Sequence, residues 1–248
     1  FREHKVQLNV VYKSTSFKNS IRLQLTNQIT NHEGYQLSVN RDAITIKANT
    51  AAGIFYAIQT LKQLITGKQI QCAEINDSPA FSFRGFMVDV GRNYQSIKQL
   101  KQQIDVMAAY KLNIFHFHLT EDIAWRLQSK RYPQLTDAKY MLRNPGKFYS
   151  LAEVKELIAY CKERKITLIP EIDMPGHSAA FKRAMGVDMQ SEEGIVICKN
   201  ILTELCRELD VPYIHIGGDE VKITNQEFFP QMIALVKSFG KKVIAWDH

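Results

Sequence analysis

Asp219 and Glu220 stand side by side after Gly217-Gly218, at the end of the apolar run Tyr213-Ile214-His215-Ile216. An adjacent Asp-Glu is ordinarily a solvated surface pair. Here Ile214 and Ile216 read as a buried strand, and the two glycines allow a sharp turn or the close approach of another group. Two carboxylates at such a strand end are suited to acid/base chemistry. Four other short apolar runs lead into polar residues in the same way. Asp89 and Arg92 follow Phe86-Met87-Val88, and His116, His118, Glu121 and Asp122 follow Leu112-Asn113-Ile114-Phe115. Glu171, Asp173 and His177 follow Ile166-Thr167-Leu168-Ile169, and Trp246-Asp247-His248 follows the run from Lys242 to Ala245. Polar groups at five strand ends point to one shared site.

Three chemistries compete for that site. Hydrolysis of a glycosidic bond needs one carboxyl to protonate the leaving oxygen and a second group to stabilise positive charge at the anomeric carbon. Asp219 and Glu220 supply that pair, Arg84 a sugar anchor and Trp246 a stacking wall. Metal-assisted hydrolysis is suggested by His116-Phe117-His118, an H-x-H whose side chains share one face of a strand; a lone H-x-H is weak, because strand histidines commonly bond to their neighbours. A carbohydrate-binding protein that keeps the pocket without turnover is the third. Metal analysis with a chelator separates the first two, and turnover of a chromogenic glycoside separates the first from the third.

The elements that must position these residues are of two kinds. In residues 1–79, Val6–Tyr12, Ile21–Leu25, Tyr35–Val39 and Ala43–Lys47 alternate apolar and polar as half-buried strands do, with Asn40-Arg41-Asp42 as a hairpin turn. Ile54, Ile58, Leu61 and Leu64 then follow at helical spacing. This predicts a small α+β domain, with Asp77-Ser78-Pro79 as its boundary. Residues 80–248 alternate strand and helix, which predicts a parallel sheet covered by helices, as a (β/α) barrel or a doubly wound sheet. Ser96-Ile97-Lys98-Gln99 and Ser150-Leu151-Ala152-Glu153 fit the capping box that opens a helix.

Bulk properties exclude little. The 248 residues carry a formal charge of +7, but the lysines are dispersed without an arginine-rich or aromatic-basic motif, so a solvated basic surface is expected and no nucleic acid. Cys72, Cys161, Cys198 and Cys206 lack metal-ligand spacing, and Cys161 and Cys206 fall in helical patterns as small buried groups. No run is long enough to span a bilayer. No signal peptide is visible, although a start at Phe1 suits a trimmed chain. Asn76-Asp77-Ser78 is a formal glycosylation sequon.

The second region resembles the catalytic domain of glycoside hydrolase family 20, the β-N-acetylhexosaminidases. The matching stretches are Arg84 to Arg92 (RGFMVDVGR), Asn113 to Arg126 (NIFHFHLTEDIAWR), Ile169 to His177 (IPEIDMPGH) and His215 to Val221 (HIGGDEV), in the family's order. Gly34 to Leu64 resembles the small α+β domain that precedes the barrel in this family. The resemblance implies a (β/α)8 TIM-barrel catalytic domain. It implies hydrolysis of terminal N-acetyl-β-hexosamines, with retention, in which the substrate's own 2-acetamido oxygen is the nucleophile and an oxazolinium ion the intermediate. It assigns Glu220 as general acid and then base, and Asp219 as the group that orients the acetamide and stabilises its charge. Arg84 matches the arginine on the sugar hydroxyls, and Trp246 an aromatic wall. His177 matches a histidine that supports Glu220 together with an acid, Glu121 or its neighbour Asp122. Asp173 and His118 are expected to be structural. An apolar wall is expected beside Glu220. The resemblance implies glycans or glycoconjugates bearing N-acetylhexosamine as partners and a secreted, periplasmic or cell-surface location. Nothing calls for a metal or organic cofactor.

Neighbouring residues of a regular strand point to opposite sides, so Asp219 and Glu220 share a pocket only if the strand breaks its pleat there. The chain departs from the family in length. Fewer than 170 residues follow Pro79, where a complete barrel takes ~250. Phe117 and Ile123-Ala124 also stand where relatives often carry Trp and Gln-Gly. An incomplete barrel is therefore expected, whose open edge favours self-association, and little hydrolysis is expected from the 248 residues alone.

Overall fold

The computed structural model describes residue 11 and residues 18–247, so the strand expected over Val6–Tyr12 lies outside the described residues apart from Val11. The chain divides into two compact units, Phe1–Arg84 with Ala108–Lys111, and Gly85–Met107 with Leu112–His248. The division falls shortly after the expected boundary at Pro79.

In the first unit, β1 (Ser20–Leu25), β2 (Tyr35–Val39), β3 (Ala43–Ala48) and β6 (Ala73–Asp77) form a sheet ordered β1-β3-β2-β6, with β1 parallel to β3 and the other pairs antiparallel. The Asn40 side chain closes the β2–β3 turn by accepting from the amides of Asp42 and Ala43 at 3.0 and 2.9 Å, a local geometry that favours Asn. Helix α1 (Ala51–Gln63) is capped by Thr50, whose hydroxyl accepts from the amides of Ala52 and Gly53. It packs Tyr56, Ala57 and Leu61 against Leu37 and Ile46 of the sheet. A short ribbon of β4 (Ile65–Thr66) and β5 (Gln69–Ile70) follows.

The second unit is built on β7 (Gly85–Asp89), β8 (Ile114–His118), β9 (Thr167–Glu171), β10 (Tyr213–His215) and β11 (Lys242–Ile244), all parallel. Each strand lies beside its predecessor in the chain. A doubly wound sheet reverses its strand order at a switch point; this one does not, and the unit is an incomplete (β/α)8 barrel of the TIM type. The helices between strands are α2 (Ile97–Ala109), α3 (Leu151–Glu163), α4 (Ala179–Met185), α5 (Glu192–Glu208) and α6 (Phe228–Ser238). Both expected capping boxes form. Ser150 Oγ accepts from Glu153 N while Glu153 accepts from Ser150 N, and Ser96 and Gln99 do the same. Each such cap contributes about 1 kcal/mol. Helix α5 buries Ile197, Ile201, Leu202 and Leu205, each about 1.5–3 kcal/mol relative to exposure. β8 and β9 are almost wholly buried, whereas β7 and β11, the two edges among the described residues, are not.

Strand register sets a row across the sheet in which Asp89 pairs with His118, His118 with Glu171, Glu171 with His215, and His215 with Ile244. Paired residues on parallel strands face the same side, so one face of the sheet carries a polar row near its C-terminal end. Cys161, Cys198 and Cys206 are buried and Cys72 is exposed, all as free thiols. Burial pushes the Cys161 thiol up to about 12. No helix among the described residues is long and apolar enough to cross a membrane.

Candidate functional site

After β10 the backbone leaves the strand conformation. Gly217, Gly218 and Glu220 have φ of 68°, 111° and 52°, which is the pleat break that two adjacent carboxylates need to serve one pocket. At Gly217 a side chain is excluded twice over. The positive φ strains any L-residue, and a Cβ would sit 1.7 Å from Asp173 Oδ1. The break brings Asp219 Oδ2 to 3.8 Å and Glu220 Oε2 to 3.4 Å from His177 Nε2.

The other nitrogen of His177, Nδ1, lies 2.8 Å from Glu121 Oε1. Of the two acids expected there, the structure brings Glu121 to His177. Asp122 instead accepts from the Ala179 amide at 2.8 Å, capping the approach to α4. Glu121 is buried, and its Oε1 also meets the guanidinium of Arg92. Arg92 forms a second pair with Asp89 Oδ2 at 2.6 Å. Burial alone would lower the Arg92 pKa, but Asp89, Glu121 and Glu220 together hold it above its usual value. The polar chain therefore runs Asp89, Arg92, Glu121, His177, Glu220.

Arg84 is not part of that chain. It immediately precedes β7, about 16 Å of extended backbone from Asp89 at the other end of the strand. There it donates to the carbonyls of Lys111 and Phe81 at 2.8 and 2.7 Å and pairs with Glu33 at 2.8 Å. The arginine that the structure brings to the carboxylates is Arg92, from the same sequence stretch. The reason is strand polarity: side chains that reach a parallel sheet's functional end follow the strand, and Arg84 precedes it.

Arg126, to which sequence reasoning gave no role, is fully buried, with no carboxylate partner among the described residues. Its guanidinium donates to the carbonyls of Val90, Arg143, Asn144 and Lys147 at 2.7–3.0 Å. It thus ties the long segment after β8 to the turn that carries Arg92. Only its place at the end of a matched stretch could have signalled this.

Behind the carboxylates, Glu171 is fully buried. His116 Nε2 and His118 Nδ1 lie 2.7 and 2.6 Å from its Oε2, and His215 Nδ1 and Trp246 Nε1 each lie 3.0 Å from its Oε1. Burial would raise the Glu171 pKa, but the three histidine contacts hold it well below the usual carboxylate range. The H-x-H pair therefore grips a carboxylate. His116, Glu171 and His215 have ligand atoms within 4.8 Å of one another, a composition that could hold a cation. Two ligands ~2.0 Å from a tetrahedral zinc stand ~3.3 Å apart, however, and these contacts are shorter, at hydrogen-bond length.

Trp246 reaches the site at 38% exposure, its ring centroid 4.8 Å from that of His215 and 5.5 Å from that of His116. The apolar wall expected beside Glu220 is not supplied by the described residues: the Glu220 side chain is 77% exposed.

Asp173 stands between Glu171 and the Asp219–Glu220 pair. Its Oδ1 accepts from the Gly218 amide at 3.3 Å, and its Oδ2 is buried without a partner, as is Asp219 Oδ1. Burial first, then the charges of Glu171 and Asp219, push the Asp173 carboxyl up to about 7. The folded state thus holds a proton between about pH 4 and 7 that the unfolded chain releases, so this group makes stability fall as pH rises through that window. Asp173→Asn removes the loss and offers an N–H toward Asp219. Thermal melts are expected to show its midpoint a few degrees above the parent at pH 8 and nearly level with it at pH 5. A midpoint lowered equally at both would contradict a protonated Asp173.

Comparison with known proteins bears on the family of the chain. The model described as Glycosyl hydrolase family 20, catalytic domain, matches residues 81–190, and that described as Glycosyl hydrolase family 20, domain 2, matches residues 1–78. A beta-hexosaminidase of Porphyromonas gingivalis is 32% identical over 87% of this chain and 36% of its own length, and one of Vibrio furnissii 35% identical over 90% and 47%. The crystal structure of the beta-N-acetylhexosaminidase from Bacteroides fragilis superposes with a TM-score of 0.83 at 36% identity, covering 91% of this chain and 54% of that one. The chain thus spans about half or less of the length of these relatives. Both halves of the sequence, the incomplete barrel and the strand-end carboxylates lead to one assignment: the chain belongs to glycosyl hydrolase family 20.

Proposed function

We propose that the chain carries much of the active site of a retaining β-N-acetylhexosaminidase, which releases terminal non-reducing N-acetylglucosamine or N-acetylgalactosamine from glycans. The observation that carries this reading is the convergence of Asp219 and Glu220 on His177 through a broken strand end, with one oxygen of Asp219 buried and unpartnered. That oxygen suits the N–H of a 2-acetamido group. In the proposed reaction the acetamide oxygen attacks the anomeric carbon as Glu220 protonates the departing glycosidic oxygen. The C–O bond to the aglycone breaks and an oxazolinium ion forms. Asp219 holds the acetamide N–H and offsets its growing positive charge. Glu220, now a carboxylate, takes a proton from water, which opens the ring with overall retention. His177, held by Glu121, orients Glu220. In this reading Arg92, rather than Arg84, takes the sugar hydroxyls, and Trp246 the sugar face.

An aryl N-acetyl-β-glucosaminide and the matching aryl β-glucoside, which lacks the acetamide, test this. The first is expected to turn over on the order of 10³-fold faster or more, because the internal nucleophile replaces a bimolecular one. Comparable rates on both would sink the mechanism. A second reading, that the 248 residues alone retain at most sugar binding, is favoured by the exposure of Glu220 and the two sheet edges. Those edges also favour self-association.

A further inference from the structure

Glu171 is not accounted for by the reaction above, yet it is fully buried and four ring nitrogens lie within hydrogen-bond distance of its carboxylate. A carboxylate accepts about four hydrogen bonds, two at each oxygen. Four ring N–H groups are arranged around this one in that ratio: His116 and His118 on Oε2, His215 and Trp246 on Oε1. Because an ionised carboxylate is acceptor-only, it selects the tautomers, with protons on His116 Nε2, His118 Nδ1 and His215 Nδ1. The Gly217 amide also lies 3.1 Å from His215 Nδ1. One nitrogen cannot both donate to Glu171 and accept from Gly217, and the anion is the stronger acceptor.

We propose that Glu171 is a positioning residue for the sugar site, whose carboxylate fixes the indole plane of Trp246. Three features carry this. Trp246 is partly exposed, so packing alone does not hold it. Its single polar atom is spent on Glu171, and its backbone amide donates to Gly217 O at 2.9 Å, so the residue is tied to the carboxylate at one end and to the catalytic loop at the other. The rings of His116 and His215, both oriented by Glu171 and 4.6 Å from each other, pack together against the indole at centroid distances of 5.5 and 4.8 Å. Strands β8, β9 and β10 and the segment that follows β11 thereby meet at one anion, and the aromatic face of the pocket inherits its position from that point. That Trp246 faces a sugar rests on the function proposed above; the clamp itself does not.

The chain has two tryptophans, so its ¹H–¹⁵N spectrum has two indole signals, assigned with Trp246→Phe. The Trp246 N–H is expected to exchange with solvent at least ~10-fold more slowly than a free indole. In Glu171→Gln, whose amide cannot accept from all four donors, it is expected to shift upfield and to exchange faster by a similar factor. A Trp246 N–H that exchanges freely in the unaltered chain overturns the clamp, and this measurement does not need the Glu171 variant to fold. An unchanged signal in Glu171→Gln overturns it too. N-acetylglucosamine titration completes the test. Glu171→Gln is expected to weaken binding about 10-fold in the parent and less than two-fold in the Trp246→Phe background. Equal losses in both overturn action through Trp246. A parent that binds no N-acetylglucosamine counts against the proposed function instead, and the exchange measurement still decides the clamp.

Discussion

In the hydrolytically active protein, Glu220→Gln is expected to lower kcat on oligosaccharide N-acetyl-β-glucosaminides by ~10³-fold, with little change in KM. Glutamine keeps the shape of the side chain and its approach to His177, but has no acidic proton for the leaving oxygen. General-acid assistance is worth about 10²–10⁴ in rate, and a sugar alkoxide needs most of it. A dinitrophenyl leaving group departs without protonation, so on that aglycone bond cleavage is expected to lose less than ~10-fold, measured as the pre-steady-state release of phenolate. The discriminating quantity is the slope of rate against leaving-group pKa, which should steepen sharply in the variant. A uniform loss across leaving groups would show that Glu220 binds or orients substrate rather than protonating it.

Arg92→Ala is expected to reduce kcat/KM by 10²–10³-fold, and Arg84→Ala to leave kcat/KM within a few-fold of the parent. Hydrogen bonds from a charged donor are worth about 1.5–3 kcal/mol each, and the proposed reaction has Arg92 offer two to sugar hydroxyls. It also meets Glu121 and Asp89, so its removal leaves a buried carboxylate without its cation and loosens His177 as well. Arg84 is committed to Glu33 and two backbone carbonyls, and its loss should appear in thermal stability. Steady-state kinetics and melts on the two variants check this directly. The reverse pattern would return the sugar anchor to Arg84.

The contrast between these two arginines shows what the sequence made legible. Strands β7 to β11 and both capping boxes follow from patterns within a few residues, and they form near where those patterns place them, although β8 begins two residues later than its run and takes in His116 and His118. Strand polarity was also available, since Arg84 precedes the apolar run and Arg92 follows it. The choice between Glu121 and Asp122 was not legible, because it depends on which way adjacent side chains point in an irregular segment. Glu171 stood out only as one of several strand-end polar residues. Its role depends on His116, on His215 and on Trp246 75 positions away in the chain, and no local pattern encodes that convergence. Arg126 was hidden for a similar reason, since its partners are backbone carbonyls.

The row Asp89, His118, Glu171, His215 has one more consequence, for folding fidelity. Adjacent parallel strands rich in Ile, Leu and Phe can slide past one another at little cost in apolar contact, and a slip of one residue turns every side chain to the opposite face. In β9 such a slip would carry Glu171 away from the histidines of β8 and β10 and strand a carboxylate among the helices that cover the sheet. An unpaired buried charge costs several kcal/mol, more than a shifted set of aliphatic contacts recovers. The sheet therefore has one alignment in which its anion is solvated by ring N–H groups, and misaligned forms are penalised strand by strand.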